Sequence, residues 1–108
     1  MNRNIAVSLA RLSIAADENF PAALRTMQNW LQPVVFPDII ISSMQKSDVC
    51  KRFPTDALLL LNAVIDDRSL ESSDLKQCLE TMKQESPAIE NEKSFQRLIE
   101  YGRKKDIL

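Results

Sequence analysis

Histidine is absent from the 108 residues, and glycine occurs once, at Gly102. Without histidine, no serine or cysteine nucleophile can draw on an imidazole base. A zinc site would have to be made from two cysteines and carboxylates alone. Without glycine, hairpin turns with positive φ are hard to build, which argues against a hairpin-rich β fold. It also removes the backbone cradle of a phosphate-binding loop. The two cysteines, Cys50 and Cys78, are too few for a disulfide scaffold. They read as small core or near-surface hydrophobes, in keeping with a reducing cytoplasm. The longest apolar run, Ala57 to Leu61, falls far short of the ~18 residues that would mark a membrane span. No basic region followed by an apolar one opens the chain, so no secretory leader is expected.

Charge of one sign is lacking too. Fourteen basic residues face fifteen acidic ones, for a net charge of −1. Residues 1–36 carry three basic and two acidic groups, residues 37–70 four and five, and residues 71–108 seven and eight. Nucleic-acid binders usually show a basic excess or stripe. The densest positive patch here is Arg97, Arg103, Lys104 and Lys105. A helix C-terminus accounts for it, since cations there oppose the helix dipole. Asp66-Asp67 is the only adjacent acidic pair besides Asp17-Glu18; nothing in the pattern gives it a cleft that would shift a pKa, and it reads as helix-end acids. No catalytic, cofactor-binding or metal-ligating set is expected.

What remains is a composition ordinary for one folded domain, with 44% hydrophobic and 27% charged residues. Its apolar residues recur with helical period. Six helices are expected. The first covers Arg3 to Ala16, with Ile5, Leu9, Leu12 and Ala16 on one face and Ala6, Ala10 and Ala15 widening it. The second opens at Phe20-Pro21, where proline fits the first helical turn, and carries Leu24, Met27, Leu31, Ala23 and Trp30 before Gln32-Pro33 ends it. The third follows Pro37-Asp38. Its Ile39-Ile40-Ile41 could also form a strand, but the flanking proline and the want of a partner strand favour helix. The fourth opens at Phe53-Pro54, and its four consecutive leucines place apolar groups all round, as in the centre of a bundle or stack. The fifth starts at Ser72 or Ser73, good N-caps, and carries Leu75, Cys78, Leu79 and Met82, with Lys76–Glu80 and Glu80–Lys83 as surface pairs. The sixth runs from Asn91 to Arg103, with Phe95, Leu98 and Ile99 inward and Gly102 near its end.

The two Phe-Pro starts lie 33 residues apart, and the helices that follow them begin about 35 apart, near Pro37 and Ser72. A helix pair with a period in the mid-thirties is the mark of α-solenoid repeats. The fold expected is therefore all-α: one domain over residues 1–108 of about six short antiparallel helices, either a HEAT-like α-solenoid fragment or an irregular helical bundle.

The stretch from Arg52 through Phe53-Pro54 to Asp66-Asp67, followed by Leu75-Lys76-Gln77-Cys78-Leu79 and by Phe95-Gln96-Arg97-Leu98 and Tyr101, resembles the C-terminal helical regions of large bacterial multidomain proteins. Those regions are similar to HEAT-type repeats and are attached to effector or nucleotide-binding modules in proteins linked to phage defence. The resemblance covers about the last two-thirds of the chain. It implies a fragment of a larger protein, no catalytic residue to carry over, and any activity in a module outside these residues.

The function expected is non-catalytic protein interaction or scaffolding, the partner being another protein or other domains of the same polypeptide. Trp30 serves either as core or as a partner anchor. The apolar loop Pro33-Val34-Val35-Phe36-Pro37 must be tucked under the helices or covered by a partner. Trp30, Val34, Val35 and Phe36 are the candidate contacts. The alternative is nucleic-acid binding through Arg97, Arg103, Lys104 and Lys105.

Overall fold

The computed structural model describes residues 3–66, 69 and 74–105, with side chains from residue 6 onward. All regular elements among them are helical: α1 (Arg3–Ala15), α2 (Phe20–Met27), α3 (Asp38–Ser47), α4 (Val49–Arg52), α5 (Pro54–Val64), α6 (Asp74–Glu85) and α7 (Lys93–Lys104). The isoleucine triplet is helical, with Ile40 and Ile41 buried and Ile39 exposed. Both Phe-Pro dipeptides open helices, at Phe20-Pro21 of α2 and Phe53-Pro54 ahead of α5. The expected start of the fifth helix at Ser72 or Ser73 lies outside the described residues.

The helices pack in two rows. α1 touches α3, and α3 touches α6; α2 touches α5, and α5 touches α7. Between the rows, α1 packs on α2, α5 on α6 and α6 on α7. The leucine-rich α5 contacts α2, α4, α6 and α7, and α6 contacts α3, α4, α5 and α7. In α5, Ala57, Leu58, Leu60, Leu61 and Val64 are buried. Of the four consecutive leucines only Leu59 reaches solvent, at 39% exposure, so the run is buried on most sides. A radius of gyration of 12.5 Å matches the ~13 Å of a compact chain of about 100 residues.

Several details depart from expectation. In α1 the buried residues are Ala6, Ala10, Ser13 and Ile14, while Leu12 is exposed and Leu9 half-buried. The alanines form the face itself, because their small side chains let α1 settle closely on α2 and α3. Ser13 is accommodated there by donating to the Ala10 carbonyl at 2.7 Å. The second helix ends early: the chain tightens into a 3₁₀ turn over Gln28–Trp30, which swings Trp30 off the core face. The single residue Asp48, at φ 62° and ψ 22°, breaks the third helix from the short α4. Another 3₁₀ segment, Pro87–Asn91, precedes α7 and buries Ile89. Gly102 lies in the last turn of α7 and is buried. Neither expected pair of Glu80 is formed; Lys83 instead bonds Glu90 at 2.8 Å. That hydrogen bond and its charge hold the Lys83 ammonium above its ordinary value.

The two Phe-Pro starts meet. The Phe20 and Phe53 rings lie 5.9 Å apart, tilted by 39°, and the Arg52 guanidinium sits 5.2 Å over the Phe53 ring. Arg52 also pairs with Asp17 in the turn before α2.

Candidate interaction surface

The segment between α2 and α3 is an apolar strap held at its middle. The Val34 amide donates to the Val64 carbonyl at 2.8 Å, and the Val34 carbonyl accepts the Ser69 hydroxyl at 2.6 Å. Val34 is only 4% exposed. It is therefore a core residue, not a partner contact, and its own backbone needs put it there: a strap so anchored cannot turn that side chain outward. Val35 is half-buried. The flanking groups are different. Trp30 is 54% exposed, Phe36 63% and Ile39 53%. The structure thus answers the two readings of this loop residue by residue, tucking in its centre and leaving its aromatic flanks in solvent. Ile39 joins them because it stands in the first turn of α3, three residues after Phe36. Adjacent identical residues on a helix cannot all face one way.

A second apolar surface lies between α6 and α7. An open cleft of about 720 Å³ has Leu79, Phe95 and Ile99 at its base and Lys76, Glu80, Glu100 and Arg103 on its rim, with the Lys83–Glu90 pair at one end. Charges of both signs line it, so it offers no single-signed field that would steer a strongly charged ligand.

The four basic residues of the nucleic-acid alternative are not brought to one surface. Arg97 is turned inward on the end of α5: its Nε bonds the Asn62 side-chain oxygen at 2.7 Å, and one terminal nitrogen bonds the carbonyls of Asn62 at 3.0 Å and Ile65 at 2.7 Å. Arg103 lies 3.4 Å from Glu100. Lys105 sits 5.9 Å over the Tyr101 ring, leaving Lys104 exposed. With Arg97 spent as a helix cap, the four do not form one exposed set.

Asp66 is likewise committed, accepting the Ser69 amide at 3.1 Å in a tight turn; Asp67 lies outside the described residues. Among the described residues, no group of three or more cysteine or acidic side chains is placed to hold a metal ion. No helix of the described residues is long and apolar enough to cross a membrane. No family model, curated protein or solved structure matches this chain.

The residue that sequence reasoning missed is Ser69. It is fully buried and links the strap, its own turn and α7: its hydroxyl donates to the Val34 carbonyl, its amide donates to Asp66, and its carbonyl accepts the Tyr101 hydroxyl at 3.1 Å. A serine in a polar stretch carries no periodic signal, so only the fold reveals it.

Proposed function

We propose that this chain is a non-catalytic protein-interaction or scaffolding domain, a slice of a HEAT-like helical array within a larger bacterial protein of the cytoplasm. The observation that carries the reading is the solvent exposure of Trp30, Phe36 and Ile39 within ten residues of chain, on the strap and the helix turn that follows it, the strap's middle being fixed by hydrogen bonds to its backbone. Covering the exposed part of these three side chains is worth on the order of 5–8 kcal/mol of gross hydrophobic free energy. That is comparable with the cost of association itself, so a partner must add contacts around them. Trp and other large apolar groups in such positions are the usual anchors of binding surfaces.

The array reading draws on a regular offset. Asp17 with Arg52, Val34 with Ser69, and Asn62 with Arg97 are three cross-element bonds, each spanning 35 residues. Recurring contacts at one sequence distance are what stacked helix pairs produce. The partner is another protein or other domains of the same polypeptide.

The test compares proteins retained from extract of the source cell by the wild-type chain and by a Trp30→Ala, Phe36→Ala, Ile39→Ser variant. A species lost with the variant, while its circular dichroism and melting midpoint stay unchanged, supports the reading. Identical retention by both chains sinks it.

A further inference from the structure

Cys50 and Cys78 are separated in sequence by the whole of α5, but α4 packs on α6 and brings them together. Both line one cavity of about 360 Å³. They are 3% and 1% exposed, and both are free thiols. The turn that makes this possible is Asp48, whose left-handed backbone redirects the chain so that Val49 and Cys50 enter the core. The rest of the cavity wall is largely polar, with Gln45, Asp48, Asp74, Gln77 and Thr81. A polar space of this size holds water, and a peroxide molecule is scarcely larger. The described residues place no third cysteine or acidic ligand set with the pair, so oxidation is the chemistry open to it.

We propose that Cys50 and Cys78 form a reversible disulfide that clamps α4 to α6 when the protein meets a peroxide oxidant. One sulfur attacks a peroxide oxygen, the O–O bond breaks, and a sulfenic acid and water result. The second sulfur then displaces the hydroxyl from the sulfenic sulfur, forming the S–S bond and releasing a second water. Two thiols and one hydrogen peroxide thus give one disulfide and two waters, the thiols losing two electrons and the peroxide gaining them. Return to the dithiol needs a small dithiol reductant, which leaves as its own disulfide.

Cys78 keeps its proton far more firmly than a free thiol. The hydrogen bond with Cys50 is the main cause, followed by burial and the charge of Asp74. Since the thiolate is the nucleophile, oxidation is slow and follows sustained exposure to the oxidant, not a brief pulse. The bond closes a loop containing all of α5, and restricting such a loop in the unfolded chain raises stability.

The experiment treats the freshly reduced, folded chain with hydrogen peroxide, blocks remaining thiols with an alkylating agent in denaturant, and measures intact mass. The expected product is a monomer two hydrogens lighter, unalkylated, with the Cys50 and Cys78 peptides joined in a digest and both thiols restored by dithiothreitol. Its melting midpoint should rise by on the order of 10 °C. Two alkylated thiols after prolonged treatment, sulfinic or sulfonic acid in place of the crosslink, or disulfide-linked dimers would each overturn the proposal. A crosslinked monomer with an unchanged midpoint would overturn the clamp.

Discussion

Replacing Arg97 with methionine keeps the aliphatic stem but removes three hydrogen bonds from the end of α5. The bonds run to the Asn62 side chain and to the Asn62 and Ile65 carbonyls at 2.7–3.0 Å. The last carbonyls of a helix have no amide partner within it, so these acceptors depend on the guanidinium. A hydrogen bond from a charged donor contributes about 1.5–3 kcal/mol, which puts the simple sum near 5–9 kcal/mol. The net loss is smaller because Arg97 is only half-buried, and water can reach part of what it leaves. About 2–3 kcal/mol is the expected cost. That corresponds to a fall in melting midpoint of roughly 10–20 °C for a domain of this size. Arg97→Lys retains the charge at the negative helix end but not the forked geometry, and should recover about a third of the loss. Urea unfolding followed by helical circular dichroism measures this, with the slope held constant between variants. Arg103→Met, an exposed change, is the reference and should shift stability by less than about 0.5 kcal/mol. If Arg97→Met costs no more than Arg103→Met, the capping argument fails, and Arg97 returns to the pool of cations available to a ligand.

Ser69→Ala removes the hydroxyl that bonds the buried Val34 carbonyl and should cost about 1–3 kcal/mol in the same urea assay; a neutral result would mean that the strap satisfies itself another way. Asp48 adopts a left-handed backbone at φ 62° and makes no side-chain cap bond, so Asp48→Gly should stabilise by about 0.5–1 kcal/mol, read from the thermal midpoint. Stability should also fall in alkali because of Cys78, whose folded pKa is raised above the ordinary thiol value of 9.0 by Cys50, burial and Asp74. Asp48 is the other acidic group lining that cavity. Above pH 9.0 the unfolded chain releases this proton and the folded one keeps it. The unfolded state then binds fewer protons, and stability drops by about 1.4 kcal/mol per pH unit, whereas below that pH the contribution is fully retained. Cys78→Val should abolish that part of the slope, and an unchanged slope would show that other groups carry it.

The fold was legible where residue chemistry acts locally. Proline fixes its own φ, so both Phe-Pro starts appear where expected. The leucine run belongs mostly in the interior, and α5 buries Leu58, Leu60 and Leu61 while touching four other helices. The buried set Leu75, Cys78, Leu79 and Met82 of α6 follows from a clear stripe. Misreadings arose where size or a distant partner decides. The α1 stripe favoured leucine over alanine because hydropathy ranks the larger side chain higher, yet close helix approach selects the smaller one. Trp30 lay on the right helical face for a helix one turn longer than α2. Arg97 and Ser69 find their partners 32 to 35 residues away, a distance over which no local pattern operates. The cysteines could be counted in the sequence, but only the packing of α4 on α6 makes them a pair.

The bonds joining Val34, Ser69 and Tyr101 tie together three chain segments far apart in sequence near one end of the helices, together with the Val34–Val64 and Arg97–Ile65 contacts. The end bearing the turn before α2 is held otherwise, by the exposed Arg52–Asp17 pair and the Phe20–Phe53 contact. The two ends therefore differ in how they accommodate changes in chain length. An extra residue beside Val34 would put the backbone bonds on both its sides out of register. Extra residues at the exposed Glu18-Asn19 would strain little beyond a surface ion pair, which has small energetic weight. Natural length variation, and any foreign peptide grafted onto this scaffold, belongs at that turn.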